Sequence, residues 1–302
     1  MSEIYTSHSR SEELADKRNT EGLSSGPEKR AELGPTQKEL SRNAAAPEKP
    51  EEVSLEEKRC RVEQHFRQSV QQILEDNGKY ISEQEKRRIE KGLTNLTVKE
   101  YSGSSGVDGC YLYTGGKSYM TVYTISESQM ERTAKHETNH FSSWHSELIA
   151  PDSERHGYHV CNTVGTRCSR WFHNCETGQN SDYETRGRGL NEGLTTMFTN
   201  EQLAELSPQK GLEAERAQVY AQATDLCVEL RNIIGADVLK EAYYGGKLEK
   251  LQDAVEVRAG KGEYEHLCGC LDRCIDTDYI TRVEAMGEAQ DILALMHERS
   301  SR

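Results

Sequence analysis

Hydrophobic periodicity begins abruptly at Val53, and that boundary limits how much of this chain can pack into a fold. Val53, Leu55, Cys60, Val62, Phe66, Val70, Ile73 and Leu74 recur at three- and four-residue intervals, as on one face of an amphipathic helix. Ser54 suits the N-cap, Glu57 completes a capping box, and Gly78 ends the segment. Residues 1 to 55, in contrast, hold four of the six prolines (Pro27, Pro35, Pro47, Pro50) and one aromatic, Tyr5, among Ser, Glu, Lys and Arg. Such a stretch buries too little apolar surface to offset its conformational entropy, so residues 1–52 are expected to be a disordered tail.

A second short helix is expected from Ser82 to Gly92, making residues 53–93 a helical lead-in to a main domain over 94–302. Three β-like stretches follow, Leu96 to Tyr101, Gly109 to Thr114 and Ser118 to Ile125, separated by glycines. They predict a small antiparallel meander. The pattern turns helical through Met130, Ala134 and 136–140, then loses sustained periodicity over residues 145 to 189, which reads as one long structured loop. Helices are expected over Leu190–Leu206, Leu212–Ile234, Ala236–Tyr244, Leu248–Val257 and Ile275–His297. The fold class is therefore α+β, with a small antiparallel sheet and a helical C-terminal half.

Bulk properties exclude several function classes. No apolar run approaches the roughly 20 residues of a membrane span, and Met1-Ser2-Glu3-Ile4 lacks the basic-then-apolar layout of a Sec signal. A formal charge of -13, from 51 acidic and 38 basic residues, would repel a nucleic-acid backbone. Nine cysteines, an odd number, leave at least one thiol outside any disulfide set and favour a reducing compartment. The expected location is cytoplasmic, or a host or target cell reached by a specialised non-Sec secretion system.

The chemistry concentrates in His136-Glu137-Thr138-Asn139-His140, an H-E-x-x-H string. On a helix its two histidines lie one turn apart on one face, where both imidazoles can reach a single Zn²⁺. Glu137 points roughly 100° away, beside the open coordination position, where it can accept a proton from water. A catalytic zinc keeps three protein ligands. The metzincin pattern would need Gly at 143 and His at 146, and both positions are serine. The better third-ligand string is Leu190-Asn191-Glu192-Gly193-Leu194-Thr195, opening a helix after Gly187 and Gly189.

Together, the His136-Glu137-x-x-His140 and Leu190-Asn191-Glu192-Gly193 strings resemble the gluzincin metallopeptidases, the group of thermolysin and the zinc aminopeptidases. The stretch from Gly189 to Thr196, with Ile233-Ile234-Gly235-Ala236 and Lys240-Glu241-Ala242-Tyr243-Tyr244, also looks like bacterial zincin-like proteins. The resemblance spans about residues 120 to 255. It implies a zincin-like domain in which His136, His140 and Glu192 hold zinc and Glu137 is the catalytic base. The family's acidic residue one turn after the third ligand, which orients a zinc histidine, falls on Thr196, whose hydroxyl accepts that hydrogen bond less strongly. Between His140 and Glu192 the chain inserts a far longer segment than the helix and turn of thermolysin-like enzymes. Candidates for stabilising an oxyanion opposite the metal are Tyr183, His156, His159 and His173.

Cys161, Cys168, His173 and Cys175 could form a second, structural zinc site in the long loop, although no C-x₂-C knuckle is present. Cys268, Cys270 and Cys274, near His266, read as packing residues of a core-facing helix. Arg167, Arg170, Arg186 and Arg188 flank the expected cleft and could favour acidic substrate residues, whereas Lys86-Arg87-Arg88 reads as a solvated helix face. The expectation is a zinc metalloendopeptidase acting on protein or peptide substrates, in the setting of a secreted bacterial effector or toxin. The alternatives are a non-catalytic zincin-like binding protein and a metal-dependent hydrolase of non-peptide substrates.

Overall fold

A computed structural model describes residues 53–92, 96–100, 109–114, 117–124, 127–211, 220–275 and 278–300. The tail expected over residues 1–52 and the first residues of the helix expected from Leu212 lie outside the described residues. Helix α1 (Leu55–Asn77) starts at its foreseen cap, with the Ser54 hydroxyl accepting from the Glu57 amide at 3.2 Å. Its inner face buries Val62, Phe66, Val70 and Ile73, and α2 (Glu83–Gly92) adds Ile89 to the same core.

Strands β1 (Leu96–Glu100), β2 (Gly109–Thr114) and β3 (Lys117–Thr124) form a sheet in the order β1-β3-β2. The pair β2–β3 is antiparallel, but β1 runs parallel to β3, so the expected meander is corrected. Only Gly115-Gly116 separates β2 from β3, which pair as a hairpin. Its second strand, carrying the buried Met120 and Val122, takes the central position. Helix α3 (Glu127–Ser142) packs on β2 and β3 on one side and on α1 on the other. The α+β class holds.

Residues 145 to 189 are not a loop. They form a four-stranded antiparallel sheet, β4 (His145–Asp152), β5 (Gly157–Val164), β6 (Arg167–Asn174) and β7 (Asn180–Arg186), in sequential order. The turns carry the chemistry that closes hairpins: Asp152 Oδ1 accepts from the amides of Glu154 and Arg155, and Asn174 Oδ1 from those of Glu176 and Thr177. Gly165 turns β5 into β6 at φ +58°. The apolar alternation that announces a strand is absent because this sheet buries few apolar side chains, chiefly Val160 and Phe172, beside polar Asn162 and Thr163. Strand β7 is exposed along its whole length.

The C-terminal half is helical: α4 (Arg188–Leu206), α5 (Ala221–Ile234), α6 (Ala236–Gly245), α7 (Leu248–Ala259), α8 (Glu263–Cys274) and α9 (Tyr279–Ser300). Helix α8 is additional to the expected set. It lies between the positive-φ glycines 260 and 262 and the start of α9, which falls at Tyr279 rather than Ile275. Its Cys268, Cys270 and Cys274 are buried with Leu267 and Leu271, the packing role expected of them. Helix α4 is the hub, touching α3, α5 and α8, and Gly189 to Thr199 is buried without a break. Among the described residues, no helix is long and apolar enough to cross a membrane.

Candidate metal centre

Helix α3 brings His136 and His140 onto one face with ring centroids 4.9 Å apart, and α4 presents Glu192, its fifth residue, to them. The entry to α4 explains why Glu192 arrives there. Gly187 adopts φ +70°, and Asp272 of α8 accepts from the amides of Gly187 and Gly189 at 3.0 and 2.6 Å, satisfying the helix N-terminus. A Cβ at Gly189 would strike the Leu271 carbonyl, and one at Gly193 would come within 2.7 Å of the Ala223 carbonyl oxygen and Cys227 Sγ. The two glycines therefore let α4 settle against α8 and α5 with Glu192 facing α3.

The donor atoms of His136, His140 and Glu192 all lie within 4.8 Å of one another. Glu192 Oε2 is 3.3 Å from His136 Nε2 and 3.3 Å from His140 Nε2. A tetrahedral zinc with bonds of about 2.0–2.1 Å needs ligand–ligand edges of about 3.3–3.4 Å, so the donor types and the two histidine–carboxylate edges suit that ion. Burial alone would raise the Glu192 carboxyl, but His140 and His136 hold it well below the usual carboxylate range.

Glu137 is buried beside this group rather than in it. Burial pushes its carboxyl up to about 7, against the pull of His136 and with the push of Glu192. Gly109 of β2 rests on it, where a Cβ would come within 3.0 Å of Glu137 Oε1.

The support expected at Thr196 comes from Thr195, one residue earlier. Thr195 Oγ1 donates to the Asn191 carbonyl at 2.7 Å and lies 2.6 Å from the Tyr243 hydroxyl and 3.3 Å from His140 Nδ1. With its own proton committed, it accepts from the Tyr243 hydroxyl. It shares His140 Nδ1 with Asn191 Nδ2, 3.1 Å away, and the two contacts fix the ring with Nε2 facing Glu192. Asn139 is likewise held, accepting from the Tyr244 hydroxyl at 2.8 Å and donating to Thr199 and Gln202, which locks α3 to α4 and α6. Thr195→Val is expected to weaken zinc binding by about 10–100-fold, as read by competition with a chromophoric chelator. An unchanged affinity would remove Thr195 from the support of His140.

Of the expected oxyanion candidates, Tyr183 is exposed on β7, its ring stacked on Trp171 and its hydroxyl accepting from Asn180. His159 faces Asp152, His173 faces Asn180, and His156 sits in the β4–β5 turn. Two tyrosine rings stack on the histidines of the triad at 6.4 Å, Tyr111 of β2 on His140 and Tyr220, just before α5, on His136. Burial and the charge of Glu192 push the Tyr220 hydroxyl up to about 12, against the pull of the Arg188 charge, so it stays protonated at neutral pH. No local motif marks Tyr220 in the sequence, whereas Thr195 stood in the motif region at the neighbouring position.

The second zinc site expected at Cys161, Cys168, His173 and Cys175 does not assemble. Cys161 and Cys168 face each other across β5 and β6 with Sγ atoms 3.4 Å apart. His173 is five residues along β6, roughly 16 Å away and on the other face, and Cys175 is exposed in the following turn. A different group, His266, Cys270 and Glu288, also brings donor atoms together. There the Arg273 guanidinium already holds Glu288 Oε2 at 2.6 Å and Cys270 Sγ at 3.4 Å, making an ion-pair network between α8 and α9. No protein-family model, curated protein or solved structure matches this chain.

Proposed function

We propose that this protein is a zinc-dependent peptidase with His136, His140 and Glu192 as metal ligands, Glu137 as general base and Tyr220 as the hydrogen-bond donor to the scissile carbonyl. One observation carries the reading: Glu192 Oε2 stands 3.3 Å from Nε2 of each histidine, about the length of a zinc tetrahedron's edge, with a separate buried carboxyl beside them. Bound to the three ligands, zinc would supply Lewis acidity toward a carbonyl and toward water.

The chain's own groups suit the remaining tasks. A carboxyl near 7 is matched to taking a proton from the attacking water and returning it to the leaving amine. The Tyr220 hydroxyl, protonated and stacked on His136, can donate to a developing oxyanion. Strand β2 is an edge of its sheet and touches Glu137 through Gly109, so an extended peptide could pair with it and pass the base. The test is a peptide-library digest followed by mass spectrometry on chelator-stripped and zinc-restored protein. Products are expected only with the metal.

A further inference from the structure

Arginines on this acidic chain are commonly paired: Arg88 with Glu85, Arg155 with Asp182, Arg186 with Glu184 and Arg273 with Glu288. Arg167 is different. It is half-buried at the first position of β6 and makes no ion pair among the described residues. A desolvated guanidinium without a carboxylate is unfavourable, and such groups collect where an incoming ligand supplies the missing charge.

Its position is beside the metal triad. The amide of Thr166 donates to Asn191 Oδ1 at 3.0 Å, which ties the β5–β6 turn to the residue before Glu192. Gly187, at the start of α4, abuts the Thr166 carbonyl and the Arg167 Cα. Burial draws the Arg167 guanidinium below its ordinary range, with the charges of Glu192 and Asp272 opposing that shift and that of Arg188 adding to it. The neighbouring carboxylates are already committed. Asp272 accepts from the Gly187 and Gly189 amides, and Glu192 faces the two histidines. Arg188, exposed at the first position of α4 and directly after Gly187, adds a second guanidinium at the same turn.

We infer that Arg167 and Arg188 form an anion-binding subsite next to the triad, which takes a carboxylate of the peptide substrate as a charge-assisted, bidentate partner. This inference rests on the peptidase reading for its substrate class. The carboxylate could belong to an Asp or Glu side chain near the scissile bond or to the peptide's own C-terminus, and both present the same fork to a guanidinium.

Three fluorescein-labelled heptapeptide pools separate these sources: amidated with a central Glu, amidated with a central Gln, and central Gln with a free C-terminal carboxylate. Binding is read by anisotropy on the zinc-loaded full chain carrying Glu137→Gln, so that bound peptide persists. At least one carboxylate pool should bind tenfold or more tighter than the neutral pool, and which one does so names the source. Arg167→Gln should abolish that preference, Arg188→Gln should reduce it several-fold, and Arg155→Gln, at an arginine already paired with Asp182, should leave it intact. If Arg167→Gln melts early, Arg188→Gln on its exposed side chain carries the test. Equal binding of all three pools, or a preference that survives both variants, would overturn the subsite. Cleavage by the wild-type chain with no charge preference refutes the subsite alone. A preference lost in Arg167→Gln, with no cleavage of any pool by the wild-type chain, refutes the peptidase reading alone.

Discussion

Glu137→Gln is expected to lower peptide hydrolysis by about 10²- to 10⁴-fold, the range for loss of a positioned general base, while bound zinc stays near one ion per chain. The amide keeps the shape of the side chain, which matters in a buried position with Gly109 resting on it. It removes only the capacity to accept and return a proton. Because Glu137 does not belong to the His136, His140 and Glu192 group, its loss should leave metal content unchanged. A variant that keeps full activity would mean that another group moves the proton; one that loses zinc would place Glu137 among the ligands. Metal analysis alongside initial rates on one cleaved peptide checks both.

His140→Ala is expected to abolish tight zinc binding and, with it, the stabilisation that zinc confers. In the unsubstituted chain, zinc at about a thousand times its dissociation constant would add about 4 kcal/mol by mass action, or on the order of 10 °C in Tm for a domain of this size. The variant should show no shift when zinc is added. It should also melt below the metal-free parent, since His140 is buried and contacts Glu192, Thr195 and Asn191. Removing it leaves a buried carboxylate with one imidazole instead of two. Thermal melts with and without zinc, on parent and variant, read both effects. An equal zinc-induced shift in the two proteins would move the metal elsewhere.

Helix α1 was legible because its apolar face and capping box are local signals, and local propensity agreed with the final packing. The same holds for the histidine pair of α3, since a four-residue interval on a helix fixes a shared face whatever surrounds it. Glu192 could be anticipated from the Leu190-Asn191-Glu192-Gly193 string, and the structure adds that Gly189 and Gly193 sit against α8 and α5. The second sheet escaped notice for a physical reason. Its strands expose much of both faces and bury polar residues such as Asn162 and Thr163, so the period-two apolar pattern never forms. Only the turn residues Asp152, Gly165 and Asn174, at regular spacing, carried the signal.

That sheet also explains the fate of the cysteine site. Read as one long structured loop, Cys161, Cys168, His173 and Cys175 could converge; placed on strands, Cys161 and Cys168 still meet, but His173 and Cys175 are held away from them by the rise and alternation of the backbone. Tyr220 was not legible as a site residue because its place depends on a tertiary contact with His136, whereas Arg167 was named among four arginines flanking the cleft and only the entry of α4 sets it apart from them. Both lie far in sequence from the H-E-x-x-H string. Thr195 was missed by one position, since the family pattern directs attention to the residue four after the ligand, whereas the hydroxyl that meets His140 is three after.

The central claim is that one zinc, held by His136, His140 and Glu192, is required for peptide hydrolysis. Its most direct test is a zinc titration of chelator-stripped protein, following cleavage of a peptide found in the library digest against metal bound per chain. Activity should be absent at zero zinc, rise in proportion to bound metal and level off at one ion per chain. Cleavage that persists in the stripped protein, or no cleavage after one zinc has bound, would contradict the account.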